Sequence, residues 1–293
     1  MDWLYVNQQI QTWVDRFLTP IDDPTSRIFY LNFVFVVIFV IAWGIYTRQN
    51  ISIPFLKKIF FQKKYWWNRS TRKDYNLYVL NSVLKIALFI PFLDFSFQIA
   101  LGFVRIMNSL ELQLNPLAKS NFNILVFSVF FFVFDDFLRF IHHYLMHKIP
   151  FLWSIHQTHH SAKILTPITL YRTHPIESAI ATVRNSLSIG ISTGVFVYLF
   201  QSQVSFLTIL GVHFMGFLFN FLGSNLRHSH IPISFGKIEK IFISPLQHQI
   251  HHSTDPEHFD SNFGVSLSIW DQLFDCCLYS KDITNSKKLR FGL

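Results

Sequence analysis

The sequence predicts an all-α integral membrane protein, with about five transmembrane helices and a cytosolic helical cap that carries a histidine cluster. Three observations lead there. Of the 293 residues, 51% are apolar and only 14% charged, against ~25% charged in ordinary soluble domains, and the apolar residues gather in long uncharged runs. A dense basic block follows the first of those runs, as cytoplasmic flanks do. All 14 histidines lie from His142 onward, so the chain has a membrane-anchoring front and a histidine-bearing back.

Met1–Leu18 spaces Trp3, Val6, Ile10, Trp13 and Phe17 at helical intervals between polar residues. That is the pattern of an amphipathic helix lying in the membrane interface or docked on the protein itself. Ile28–Tyr46 is a first span of 19 uncharged residues, close to the ~20 needed to cross a hydrocarbon core. Arg48, Lys57, Lys58, Lys63, Lys64, Arg69, Arg72 and Lys73 follow it, opposed only by Asp74. This positive-inside signal places residues 47–75 in the cytoplasm, with Tyr65, Trp66 and Trp67 at headgroup level. Leu77–Val104 counts as one crossing interrupted by Lys85, Pro91 and Asp94, since Pro is tolerated where neighbours satisfy the freed backbone. Phe122–Phe134 opens a third span that runs directly into Asp135 and Asp136. Ala179–Phe200 and Val204–Leu222 are the fourth and fifth, joined by a polar turn. With the basic block inside, this count returns His143–His174 and His228–His252 to the cytoplasmic face without using any histidine as evidence.

The net charge of +8 sits beside apolar segments, which points to anionic lipid and topology and away from nucleic acid. Cys276 and Cys277 are adjacent, which suits neither a disulfide framework nor a C-x-x-C motif. Asp2 and Asp15 stand where a cleaved signal peptide would carry its basic and apolar stretches.

The histidines fall into spaced sets. His143 and His147 stand four apart, and His156, His159 and His160 follow at i, i+3 and i+4. His248, His251 and His252 repeat that second spacing. On helices each set shares one face, and imidazole is the commonest protein metal ligand. Eight such residues exceed the four ligands of a tetrahedral ion, so two metals are the economical reading. Asp136, seven residues before His143, shares its face and is expected to hold a ligand imidazole by its second nitrogen. Arg172 and Glu177 flank His174 and are expected to pair and fix that loop. His142 points away from the 143/147 stripe, His213 reads as a packing residue, and His258 as a solvated loop residue.

The runs D-F-x-x-F-x-x-H-x-x-x-H, L-W-x-x-H-x-x-H-H-S, R-x-H-P-x-E and S-P-x-x-H-x-x-H-H-S, with N-F-G and W-D-x-L-F, span Asp136 to Phe274 in one order. They resemble the fatty acid hydroxylase/sterol desaturase superfamily. The resemblance implies a membrane-embedded non-haem di-iron oxygenase with a catalytic region at 121–280, after an N-terminal part at 1–120 and before a tail at 281–293. It implies His143, His147, His156, His159, His160, His248, His251 and His252 as iron ligands, with His228 and His174 as further ones; His230 is either a ligand or only a neighbour of His228. Two motifs depart from the pattern: Phe140–Tyr144 lacks the usual aromatic pair and Arg, and Asp275 and Cys276 replace the closing Gly-Thr.

Two iron ions and O2 would serve to hydroxylate or desaturate a membrane lipid or sterol. The chain carries no dinucleotide fingerprint, iron–sulfur set or haem module. Electrons are therefore expected from a separate donor of the cytochrome b5, ferredoxin or reductase type. The host membrane would be a bacterial inner membrane or the endoplasmic reticulum. A membrane zinc hydrolase and a non-catalytic metal- or lipid-binding membrane protein are the rival readings.

Overall fold

The computed structural model describes residues 30–111, 115–118, 120–201, 226–283 and 289–293. Among them the chain is helical, with two isolated antiparallel bridges (Phe242 to Leu267 and Ser253 to Phe291) and no strand. The Met1–Leu18 helix, the Val204–Leu222 span and His213 lie outside the described residues.

Helix α1 is Tyr30–Tyr46, α2 Ile53–Phe60, α3 Lys63–Trp66, α4 Arg69–Ser109, α5 Asn121–Lys148, α6 Pro150–His160, α7 Pro175–Phe200, α8 Pro245–His251 and α9 Ile269–Leu273. Local chemistry sets several of these starts. Asn68 caps α4 by accepting from the N–H groups of Ser70 and Thr71, and Ser120 caps α5. Pro150, Pro175 and Pro245 open α6, α7 and α8, where a missing N–H costs nothing and a fixed φ helps. The second expected crossing falls within α4, one uninterrupted helix. Among the described residues, one helix, α7, is long and apolar enough to cross a membrane; α1 is apolar but shorter.

The longest packing seam runs between α4 and α7. A Cβ on Gly190 would lie 2.7 Å from the Ser96 carbonyl, and one on Gly194 would lie 2.8 Å from Phe103 Cβ. One turn apart, these glycines let the two backbones approach where any side chain would separate them. Phe127 of α5 packs edge-on against Phe196 of α7, and α1 and α2 close over Leu226, Ile231 and Ile233.

A buried ion pair ties α4 to the histidine region. Arg172 Nη1 donates to Asp74 of α4 at 2.7 Å, and both side chains are buried. The same guanidinium donates to the carbonyls of Ser70, Thr158 and Ser161, while Thr169 donates to the other Asp74 oxygen at 3.0 Å. Every donor is occupied, the condition under which a buried charge pair can hold. Arg172 therefore pairs with Asp74 and not with Glu177 as the sequence suggested.

Candidate metal centre

Three helical segments and one turn deliver the histidines. The C-terminal end of α5 presents His143 and His147, α6 presents His156, His159 and His160, and α8 with its cap presents His248, His251 and His252; the turn after the 226 position adds His228. Their ligand atoms gather into two groups, each within 4.8 Å: His143, His147, His156, His160 and His251 in one, His159, His228, His248 and His252 in the other. The groups abut, with the His160 ring stacked on His252 at 4.4 Å between centroids.

The nitrogens turned away from each centre are largely tied to acceptors. His143 Nδ1–H donates to the Phe263 carbonyl at 2.8 Å, His251 Nδ1–H to the Ser261 carbonyl at 2.7 Å, and His159 Nδ1–H to the Arg172 carbonyl at 3.3 Å. His156 Nδ1–H donates to Glu177 Oε1 at 2.9 Å. A carbonyl accepts only from a protonated nitrogen, so these contacts fix the tautomer and leave each Nε2 lone pair facing inward.

Those inward atoms fit a cation and do not fit one another. In the five-histidine group the Nε2 atoms of His147, His156, His160 and His251 are buried without a hydrogen-bond partner. In the four-histidine group Nε2 atoms meet in a chain: His159 to His228 at 3.1 Å, His228 to His248 at 3.0 Å, His248 to His252 at 3.2 Å. Protons cannot satisfy that chain. His159 Nε2 has only a lone pair, so His228 must donate to it, and His228 Nε2 then has no lone pair for His248. Metal–nitrogen bonds of ~2.0–2.1 Å give tetrahedral nitrogen–nitrogen edges of roughly 3.3 Å, near the spacing observed. Burial, with the neighbouring imidazoles adding to it, pushes His159 down to about 4 and holds His143, His160, His248 and His252 well below the ordinary histidine range. Burial likewise pushes His251 down to about 3. All are thus neutral, the form that binds metal.

Two expected site residues, His174 and Asp136, and His230, left open above, lie elsewhere in role. His174 joins neither group; its Nδ1 accepts from the Ile176 N–H at 3.2 Å and caps α7. His230 also joins neither and stacks on Tyr65. Asp136 holds no imidazole. Seven residues separate it from His143, about 10 Å along a helix, and its carboxylate accepts from Ser266 N–H, Leu267 N–H and Trp270 Nε1–H at 2.9–3.0 Å. It anchors the loop whose other end, Phe263, holds His143. His258, expected to be solvated, is buried.

The sequence reading missed the two acids that hold that loop and α8. Asp271 accepts from Phe263 N–H at 2.7 Å and Gly264 N–H at 3.0 Å, and a Cβ on Gly264 would lie 2.5 Å from its Oδ2. Glu239, fully buried, accepts from the hydroxyls of Ser234, Ser244 and Ser280 at 2.7–2.8 Å, which clamps the start of α8. The W-D and N-F-G motifs carried the only signal for the first pair; nothing in the local pattern marked Glu239. Of the departing residues, Phe140 packs on Phe274 and Tyr144 on Phe263, so they form an aromatic floor beneath the same loop.

Comparison with known proteins agrees with this geometry. The alkylglycerol monooxygenase of Xenopus tropicalis is 27% identical over 158 residues, 54% of this chain and 31% of the relative. The human alkylglycerol monooxygenase is 27% identical over 47% of this chain and 28% of its own length. The ornithine lipid hydroxylase OlsE of Rhizobium tropici is 28% identical over 48% of this chain and 38% of its own length. The similarity thus spans about a third of these relatives. No solved structure matches the chain. The fatty acid hydroxylase family model matches residues 128–276, which hold every histidine of both groups; over half its length is covered, and the chain belongs to the fatty acid hydroxylase family.

Proposed function

We propose that the chain is a membrane-embedded lipid hydroxylase, with 121–280 as its catalytic region, in which each histidine group holds one iron ion. The observation that carries this is the convergence of nine imidazoles into two abutting groups whose inward nitrogens protons alone cannot satisfy. Neutral imidazoles suit zinc as well as iron, and the lipid-oxidising relatives favour iron. The net reaction is insertion of one oxygen atom into a lipid C–H bond, with O2, two electrons and two protons consumed and water formed. Iron in these sites would supply the oxidising power for that step.

The chain's own part is placement. The Nδ1 bonds of His143, His156, His159 and His251 lock ring orientation, and Arg172 couples that order to α4 through Asp74. Burial of both groups keeps bulk water from the reacting centre. Five crossings would bring both groups to the cytoplasmic face. There a cleft of about 790 Å3 lined by Arg69, Arg72, Lys73 and Lys163 reaches the buried Arg172, and its charge suits an acidic electron carrier.

Two measurements test this. Purified protein should contain two irons, and His159→Ala should lose at least one; unchanged metal content overturns the ligand assignment. Mass spectrometry of lipid extracts with and without the gene should find a gain of one oxygen that needs both O2 and reductant. Loss of two hydrogens means a desaturase, an oxygen-independent product a zinc hydrolase, and metal uptake without lipid turnover a binding protein.

A further inference from the structure

One loop, residues 260–263, faces three rings of the five-histidine group. The Phe263 carbonyl accepts from His143 Nδ1–H and the Ser261 carbonyl from His251 Nδ1–H. His147 meets a side chain instead: its Nδ1 lies 3.9 Å from Asp260 Oδ1. The inward Nε2 of His147 is buried without a partner, so Nδ1 is the nitrogen left to be oriented from outside.

The loop holds a carboxylate at that point. Asn262, fully buried, donates to the Gln247 and Leu278 carbonyls at 3.1 and 3.0 Å and accepts from Leu278 N–H at 2.8 Å. Those bonds pin the loop to α8 and to the chain at 278. Asp260 has φ +56°, a left-handed backbone that Asp and Asn adopt more readily than other side-chain-bearing residues. Its Oδ2 accepts from Lys148 Nζ at 2.8 Å, and Lys148 directly follows His147. One half-exposed carboxylate therefore stands between an ammonium and an imidazole on neighbouring residues.

We propose that Asp260 is a positioning residue for His147: with a cation at His147 Nε2, the carboxylate closes on Nδ1–H, and Lys148 competes for it. A cation on one imidazole nitrogen makes the N–H at the other a stronger donor, which draws the carboxylate from Lys148 toward the ring. Glu177 already makes that bond to His156 at 2.9 Å, so Asp260 gives the five-histidine group a second carboxylate-held ring. The inference rests on the reading that each histidine group holds an ion.

The test is competition titration of the purified full chain with Co(II) against a chromophoric chelator. Wild type should bind two ions. Asp260→Asn suits the left-handed backbone and keeps an acceptor. It should raise one of the two dissociation constants about tenfold, the low end for loss of such a partner, because the carboxylate is half exposed. That loss should persist at ~1 M salt, where the field of a surface charge is screened. Lys148→Met removes the competitor and should lower the same constant about threefold, as for an exposed ion pair. It should have no effect in the Asp260→Asn background. An Asp260→Asn constant equal to that of wild type, or a loss erased by salt, overturns the proposal. So does a Lys148→Met constant that fails to fall, the mark of a pair that only holds the loop. A Lys148→Met gain that survives in the Asp260→Asn background also does so, since it comes from the lysine charge alone. If Asp260→Asn does not fold, the direction of the Lys148→Met change decides. A wild type that binds no ion overturns the metal reading and this one with it; a wild type that binds two, with variants that match it, overturns this one alone.

Discussion

Glu177→Gln should lower both metal-free stability and metal affinity. Glu177 is buried, and one of its oxygens accepts the His156 Nδ1–H at 2.9 Å while the other, Oε2, has no partner. Burial raises the Glu177 pKa, but the His156 N–H and its neighbours outweigh it and hold the carboxyl below its ordinary value, so the metal-free fold favours the charge. A cation on the far nitrogen of His156 compensates that charge through the ring. Glutamine keeps an acceptor for His156 but weakens that bond and puts an unpartnered amide N–H in place of Oε2, so the metal-free variant should be less stable by about 1 kcal/mol. The same change makes His156 a poorer ligand, and loss of such a partner lowers metal affinity ~10–100-fold, or about 1.4–2.8 kcal/mol. Competition titration with a chromophoric chelator gives the affinity. Thermal unfolding in one detergent, with and without metal, gives the stability. The expected result is a lower metal-free Tm and a smaller metal-induced rise. Unchanged affinity, or a metal-free Tm that rises, would refute the claim that Glu177 tunes the site through His156.

Other perturbations probe the supports around the site. Gly264→Ala would drive a methyl group to 2.5 Å from Asp271 Oδ2 and 2.7 Å from the Leu267 carbonyl; a loss of ~2–3 kcal/mol and of bound metal is expected, read by denaturation and metal analysis. Arg172→Met leaves Asp74 buried and unpaired, which should cost ~3–5 kcal/mol and lower the unfolding midpoint accordingly. Acid should destabilise the metal-free fold. Histidines held neutral in the fold protonate once unfolded, so their stabilisation is full above ~6.5 and is lost progressively as pH falls toward about 4 for His159 and about 3 for His251. A pH series of unfolding midpoints checks that sign. Arg72→Glu with Lys73→Glu should slow reduction by an acidic carrier at least tenfold at low salt, and stopped-flow at high salt should erase the difference.

The helical class was legible from composition, and helix starts were legible where proline announces them, as at Pro150, Pro175 and Pro245. The Asp74–Arg172 pair was not. Asp74 looked like a stray acid inside a topological run of cations, because nothing local distinguishes a charge meant for solvent from one meant for a partner 98 residues away. His258 misled for a related reason. A loop of Asp, Pro and Glu reads as solvated, but its burial is decided by what folds over it, and that is a property of the tertiary structure.

The site divides along a chemical line. Metal ligands must be particular side chains at particular spacings, so eight of the nine grouped histidines belonged to motifs that spacing alone exposed, and only His228 needed a resemblance to find it. The groups that hold those rings are under no such constraint. Three of the four Nδ1 bonds end on backbone carbonyls, those of Phe263, Arg172 and Ser261, and every residue type offers a carbonyl. Sequence can register such a support only one step removed, through whatever fixes the backbone that bears it. For Phe263 that is Asp271, accepting two consecutive N–H groups, and Gly264, which leaves room for the carboxylate. For the following turn it is Asp136. The acid that looked like a partner for His143 thus acts on it through a loop, which is why spacing along one helix placed Asp136 near the site but could not say what it holds.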